Sequence, residues 1–236
     1  MKVKDRLIFA LDVLDIKTAI PLLNQLEGKV GLVKVNSLAA AYPEIVSLIQ
    51  ERKIEVWRDF KHHDIPGTVA NFIKADVEDG LAMTTIHTLG GIKMMEYAVE
   101  AAKESNLKIL GITILTSHNQ ESFNKEIGIP GSIQDKVINL ATMAEKIGLH
   151  GIVASAKEAK MLRTNLKAET WIVTPGIKPV WAVKREDQAR ITTPYQAILD
   201  GADYLVVGSA IRTNENPGEA ADKIVEEIEK AISERT

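Results

Sequence analysis

Apolar and polar positions follow a repeating order along this chain, in which a short apolar run precedes a longer amphipathic segment. Most of the apolar runs are rich in Val, Ile and Leu, which is typical of strands buried on both faces of a parallel sheet. We therefore predict strands at 7–12, 31–36, 54–60, 83–87, 109–115, 151–154, 171–174 and 204–207.

The segments between these runs have the spacing of amphipathic helices. The last of them carries a single apolar stripe made by Ala220, Ile224, Val225, Ile228 and Ile232. The predicted helices are 16–26, 37–52, 66–79, 91–105, 132–147, 156–162, 193–199 and 217–232.

This order of strands and helices predicts the fold class. Repeated strand–helix units imply a parallel sheet with right-handed crossovers, and the number of units favours one (β/α)8 TIM barrel over 1–236. A doubly wound sheet would need a glycine-rich turn after the first strand, whereas 13–16 reads Val-Leu-Asp-Ile. Two long irregular segments, 116–131 and 176–192, follow strands and are therefore expected at the C-terminal mouth of the barrel.

Composition narrows the classes of function. The 236 residues carry a net charge of −3, without the clustered Lys and Arg of a nucleic-acid-binding surface. The absence of Cys excludes disulfides, thiol nucleophiles and Cys-ligated metals. The N-terminus lacks the apolar core of a signal peptide, and no apolar run approaches the roughly 20 residues of a membrane span. We expect a cytoplasmic protein with neither nucleic-acid nor membrane partners.

Candidate chemistry is concentrated at the end of the third predicted strand. A strand period of two places Asp59 and Lys61 on one face, and a loop could bring Asp64 back toward Lys61. With Lys34 from the second strand, these residues would form an alternating Lys-Asp-Lys-Asp array. The alternative interpretation is a set of incidental ion pairs in a solvated loop. We favour a site, because like charges resist being held together and catalytic residues of such barrels cluster at this end.

Other strand ends contribute further candidates. Asp12, Ser117, Pro175, Gly208 and Ser209 each stand at or just past the end of a predicted strand. His87 also ends a strand, and we interpret it as a hydrogen-bonded core residue. No metal site is expected, because the neighbouring side chains of His62, His63 and Asp64 diverge and no other cluster has ligand spacing.

These motifs resemble the orotidine 5′-monophosphate decarboxylase family over nearly the whole chain. The Asp-x-Lys-x-x-Asp core at 59–64 is shared with related barrel decarboxylases and aldolases, whereas the flanking Ile-Pro-x-Thr and the later Thr-Pro-Gly-Ile with Asp-Gln are more specific. The matching segments are Leu-Ile-Phe-Ala-Leu-Asp-Val at 7–13, Val-Lys-Val at 33–35, Asp-x-Lys-x-x-Asp-Ile-Pro-x-Thr at 59–68, Ile-His-Thr-Leu-Gly-Gly at 86–91, Gly-Ile-Thr-Ile-Leu-Thr-Ser at 111–117, Val-Thr-Pro-Gly-Ile at 173–177, Asp-Gln at 187–188 and Ala-Asp-Tyr-Leu-Val-Val-Gly at 202–208.

The resemblance implies cofactor-free decarboxylation of orotidine 5′-monophosphate to UMP, the last step of pyrimidine nucleotide biosynthesis. It implies that Lys61 donates the proton to pyrimidine C6, with Asp59 and Asp64 near the substrate carboxylate. Asp64 would come from the other subunit of a homodimer whose sites lie at the interface. Lys34 would hold Asp59 and a ribose hydroxyl, and Asp12 would also bind the ribose.

The same resemblance assigns residues around the substrate. Thr68 and Ser117 would contact the ribose and the pyrimidine, and Gln188 would contact the phosphate or close a loop over it. The family carries an arginine that grips the phosphate where this chain has Ser209. Arg212 and Lys178 are the candidate replacements for that cation.

Further departures from the family are Asn36, Trp57, Arg58, His62 and Gly67. They leave two alternatives open. One is a diverged or redesigned barrel in which a pocket without its phosphate clamp catalyses a different proton transfer or carbonyl reaction. Trp57 or Trp181 would then serve another ligand. The other is a non-catalytic ligand-binding barrel, against which the charge array argues.

Overall fold

A closed parallel barrel forms the centre of the protein, as seen in a computed structural model that describes residues 2–183 and 191–235. Each strand pairs in parallel with the next, and the last pairs with the first. The predicted (β/α)8 fold is confirmed. The strands are β1 (Leu7–Ala10), β2 (Leu32–Val35), β3 (Glu55–His62), β4 (Met83–His87), β5 (Lys108–Ile112), β6 (Gly151–Val153), β7 (Trp171–Thr174) and β8 (Tyr204–Val207).

Helices surround the barrel and bury their apolar stripes against it. Several begin as their sequences indicate: Asp15 and Ser132 each accept hydrogen bonds from the first turn of the helix that follows, and Pro66 occupies the first turn of another helix. The helices are α1 (Ile16–Leu26), α2 (Ser37–Ala41), α3 (Ile45–Gln50), α4 (Pro66–Glu78), α5 (Gly91–Ala102), α6 (Gln120–Lys125), α7 (Ile133–Ile147), α8 (Ala159–Asn165), α9 (Pro194–Leu199), α10 (Ser209–Arg212) and α11 (Pro217–Glu234).

Two of the differences from the predicted helices have a clear local cause. The single helix expected over 37–52 is divided into α2 and α3, because Pro43 has no N–H group and disfavours helical geometry at Tyr42. The segment 116–131, expected to be irregular, contains α6. Asn119 starts this helix by accepting from the Ser122 backbone N–H at 2.9 Å, and Ser122 Oγ accepts from the Asn119 N–H in return.

Two apolar layers give the barrel its rigidity. The larger lies between the strands and the helices, and the smaller fills the barrel interior. The interior layer includes Ile8, Leu32, Trp57, Met83 and Val206, so the barrel is packed beneath its C-terminal mouth. In the part of the chain that the structure describes, no helix is long and apolar enough to cross a membrane.

Candidate active site

The third strand departs from regular geometry where the signature begins. The pairing of β3 with β4 shifts register between Arg58 and His62, and Lys61 has a left-handed backbone with φ of 52°. This conformation is costly for a residue with a side chain and persists where the surroundings enforce it. Here the Lys61 backbone N–H donates to Thr85 Oγ1 of β4 at 3.0 Å. The bulge therefore fixes the direction in which Lys61 leaves the barrel wall.

Asp59 is the central residue of the site. Its side chain is buried, and its Oδ2 lies 2.8 Å from Lys61 Nζ and 3.6 Å from Lys34 Nζ. Its other oxygen, Oδ1, accepts a hydrogen bond from the Thr85 hydroxyl at 2.9 Å. A carboxylate removed from water in this way needs such partners to stay charged. Asp59 is thus held between two ammonium groups and one hydroxyl group.

The contacting side chains of alternating charge form a row that we call the charged chain. It continues from Lys34 toward the first strand. Lys34 Nζ lies 3.4 Å from Asp12 Oδ1, and the Asp12 side chain is largely exposed at the mouth. The order is therefore Asp12, Lys34, Asp59, Lys61, with charges of alternating sign. An alternating array was predicted, but within one protomer its second carboxylate is Asp12.

Asp64 does not join this array within the chain, contrary to the expectation that its loop returns toward Lys61. It is exposed, and its Oδ1 accepts from the backbone N–H of Ile65 at 2.6 Å. Among the described residues it forms no ion pair with Lys61. Asp64 stands in the short connection between the end of β3 and the start of α4.

A cavity of about 290 Å³ opens beside the charged chain at the C-terminal mouth. Its wall is charged on the side of β1 to β3 and mainly apolar on the side of β5, β6 and β8. Such a division suits a ligand with one apolar planar part and a few polar groups. The lining residues are Ala10, Asp12, Lys34, Trp57, Asp59, Lys61, Ile112, Ile114, Leu115, Thr116, Val153, Pro175, Gly176, Val206 and Gly208.

The remaining predicted binding residues divide into two groups. Pro175 and Gly208 line the cavity together with Asp12. Ser117 is exposed directly after the lining residue Thr116, and Thr68 is half-buried in the first turn of α4, away from the lining. Gln188 lies outside the described residues.

The part of the site expected to bind the phosphate has a serine where the resemblance implies an arginine. Ser209 is exposed at the start of α10 and lines a separate depression with Trp181 and Thr213. Neither proposed replacement lines the central cavity. Lys178 is exposed, and Arg212 is half-buried with a buried Nε that has no acceptor among the described residues.

Arg58 and His62, two other departures from the family, serve a buried network behind the site. Asp76 on α4 is only 1% exposed and accepts from Arg58 Nη1 at 2.8 Å and from Thr84 Oγ1 at 2.6 Å. His62 Nε2 lies 3.4 Å from the same carboxylate, and its ring stacks on Phe72. These residues fasten α4 to the bulged strand, so they support the site from behind.

His87 ends β4 and interacts electrostatically with Lys61 and Asp59. It is half-buried, and its ring centroid lies 5.2 Å from that of His63. Burial lowers the pKa of His87, and the nearby His63 and Lys61 lower it further, while Asp59 opposes them. Its Nδ1 has no hydrogen-bond partner among the described residues, so the expected hydrogen bond in the core is not formed there.

Thr85 is the site residue that the sequence did not reveal. It lies 26 positions from Asp59, inside the strand Met83–His87, next to a second threonine, Thr84. Buried hydroxyl groups normally have hydrogen-bond partners. The two adjacent threonines therefore indicated that a polar side chain lies close to this strand. In the part of the chain that the structure describes, no group of three or more potential metal-ligating side chains occurs.

The chain was also compared with known proteins. The model of the orotidine 5'-phosphate decarboxylase / HUMPS family matches residues 5–224. Orotidine 5'-phosphate decarboxylase of Heliobacterium modesticaldum is 39% identical over 248 residues, covering 100% of both chains. The enzyme of the same name from Syntrophotalea carbinolica is 39% identical and covers 99% of both chains.

Solved structures agree with the sequence relatives. The crystal structure of orotidine 5'-phosphate decarboxylase from Lactobacillus acidophilus is similar with a TM-score of 0.84 and 30% identity, and the match covers 95% of this chain and 99% of that one. Both the sequence and the fold are therefore shared over nearly their full length. This chain belongs to the orotidine 5'-phosphate decarboxylase / HUMPS family.

Proposed function

We propose that this protein decarboxylates orotidine 5′-monophosphate to UMP without a cofactor, as a step of pyrimidine nucleotide biosynthesis. The observation that carries the proposal is the ordered chain of Lys34, Asp59 and Lys61 along one wall of a cavity in a member of this family. Relatives named for this activity match the chain from end to end.

The reaction breaks the bond between pyrimidine C6 and the carboxyl carbon. Carbon dioxide leaves, the electron pair stays on C6, and the Lys61 ammonium supplies the proton that replaces the carboxyl group. The carbanion is not a resonance-stabilised enolate, so stabilisation must come from charges fixed in advance in a site that excludes water. Lys61 suits this role because Asp59 and the Thr85-bonded backbone hold its position before substrate arrives.

The remaining assignments follow from position. Asp12 and Lys34 stand at the mouth, where they would bind the ribose hydroxyls of the nucleotide. Pro175 and Gly208 line the opposite edge of the cavity. Thr68 and Ser117 would reach the substrate from outside this lining, after loop closure driven by binding of the phosphate. Gln188 would contact the phosphate or close the loop over it.

A homodimer would complete the site. Asp64 is exposed and forms no ion pair with Lys61 among the described residues, so we infer that it serves a neighbouring protomer. Large apolar side chains are exposed just before α4, on α4 and on α5, including Ile65 at 69%, Phe72 at 45% and Ile92 at 51%. Exposed apolar clusters of this kind mark protein interfaces. We place the second subunit against this surface.

The test is the loss of orotidine 5′-monophosphate absorbance with purified protein, compared with the Lys61→Ala variant. We expect turnover by the unaltered protein and its loss in the variant, while both melt at similar temperatures. Retained turnover in Lys61→Ala would refute the proton-donor role. Absence of turnover in the unaltered protein at any substrate concentration would refute the proposed reaction.

A diverged reaction on the same scaffold is the second candidate, and Ser209 is the observation that favours it. Losing one charge-assisted contact to phosphate costs about 1.5–3 kcal/mol, or more than tenfold in affinity. If decarboxylation is the function, one of two results is expected. Either Ser209→Arg lowers KM for orotidine 5′-monophosphate, or the unaltered protein already has a high catalytic efficiency and Ser209→Arg leaves KM unchanged. An unaltered protein that turns over only at high substrate, and is not improved by Ser209→Arg, would favour the diverged reaction.

A further inference from the structure

Trp57 forms the floor of the active-site cavity. It lies on β3 two residues before Asp59, in register with Lys34 on β2 and Met83 on β4. Its side chain is 1% exposed and belongs to the layer that fills the barrel interior, yet it also lines the cavity. The indole therefore lies one layer below the Asp59 carboxylate and closes the cavity from beneath.

Packing alone does not explain an indole at this position. Its Nε1 is buried and has no hydrogen-bond acceptor among the described residues. An unsatisfied buried donor is destabilising, and a phenyl ring would fill the same apolar surroundings without one. The property that distinguishes Trp from Phe here is its greater size, which makes the cavity shallower.

We propose that Trp57 is a specificity-determining residue that limits the size of the substituent on pyrimidine C6. The inference rests on the proposed function, because protonation by Lys61 requires C6 to lie against Lys61 Nζ. A group on C6 then occupies the space bounded by the Asp59 carboxylate and the indole. A planar carboxylate or a hydrogen atom fits above the indole, whereas bulkier groups collide with it.

The experiment measures binding by titration calorimetry of UMP, 6-methyl-UMP and 6-propyl-UMP, which differ in size at C6 but not in charge. The proteins are the unaltered chain, Trp57→Phe and Trp57→Leu. The matched control is Trp171→Phe, since Trp171 lies at the other end of the barrel against Tyr204 and does not line this cavity. UMP affinity in each protein provides the reference for its own alkyl series.

We expect the unaltered protein and Trp171→Phe to discriminate equally against the propyl group. In Trp57→Phe the ratio of propyl to hydrogen Kd should fall by about tenfold or more, since one methylene in a tight pocket is worth about that factor. It should fall further in Trp57→Leu. An unchanged ratio in both Trp57 variants, with UMP binding retained, would overturn the inference.

A second measurement covers the case in which the Trp57 variants do not fold. Replacing both Trp171 and Trp181 by Phe leaves Trp57 as the single tryptophan. Its fluorescence should change on saturation with 6-methyl-UMP, and unchanged emission with bound ligand would overturn the contact. If the unaltered protein does not turn over orotidine 5′-monophosphate, the proposed function fails and the role of Trp57 fails with it. If UMP binds and only the size preference is insensitive to Trp57, the proposed function stands.

Discussion

Thr85 and Asp59 are joined by a hydrogen bond of 2.9 Å from the Thr85 hydroxyl to Asp59 Oδ1. The same hydroxyl oxygen accepts the backbone N–H of Lys61 at 3.0 Å. One side chain on β4 therefore orients the carboxylate and holds the bulge that carries the proposed proton donor. Thr85 does not itself line the cavity, so it would act on the substrate only through Asp59 and Lys61.

Thr85→Val should reduce turnover with little change in the size of the side chain. A hydrogen bond to a charged group contributes about 1.5–3 kcal/mol, so kcat should fall about tenfold to a hundredfold. Thr85→Ser keeps the hydroxyl group and should restore most of kcat. Steady-state kinetics on orotidine 5′-monophosphate distinguish the two variants. If Ser and Val at this position impair kcat equally, the hydroxyl group has no positioning role.

Mixing two inactive variants should restore activity if Asp64 serves the neighbouring protomer. Lys61→Ala and Asp64→Asn are each expected to be inactive. In a symmetric dimer, random mixing gives one intact site in each heterodimer, which amounts to about a quarter of all sites. The measurement is the specific activity after refolding a one-to-one mixture. No gain over the separate variants would place Asp64 outside the partner's site.

Asp76→Asn should destabilise the fold strongly. Asp76 is buried and neutralises Arg58 while accepting from Thr84, and removing one member of a buried ion pair costs about 3–5 kcal/mol. Asp79→Asn is the matched control, because Asp79 pairs with the same Arg58 but has a half-exposed side chain. It should cost less than about 1 kcal/mol. Urea unfolding of both variants gives the two values, and equal losses would contradict this account.

His87 should make the stability of the protein depend on pH below neutrality. Burial, with His63 and Lys61, lowers the pKa of His87 below its usual value of 6.5. Between the folded pKa and 6.5, the unfolded chain binds a proton that the folded chain does not. The free energy of unfolding therefore has its full value above about pH 6.5 and falls as the pH drops toward the folded pKa.

The variant His87→Asn should weaken this dependence, since it removes the titrating ring. The measurement is the urea midpoint at several values between pH 7.5 and pH 5 for both proteins. Burial also lowers the pKa of His150, so a smaller residual slope is expected to remain. An identical slope with and without His87 would show that its ring is freely protonated in the folded state.

Much of the fold could be read from local patterns. Apolar periodicity places α1 at Ile16–Leu26 and three strands, β4, β7 and β8, at the observed bounds. Capping side chains act within a single turn of helix, so their signals are also local. The misplaced boundaries lie where local signals compete, as at Pro43 in the predicted helix 37–52.

The sequence by itself determined the barrel, its open end and the residue types of the site, because these depend on spacing within single elements and on parallel connectivity. Only the tertiary structure decided which charges meet. Asp59 contacts Lys61 at a bulge that Thr85 holds from another strand. Asp12, and not Asp64, completes the chain of charges among the described residues. Such contacts join residues far apart in sequence, and local periodicity carries no information about them.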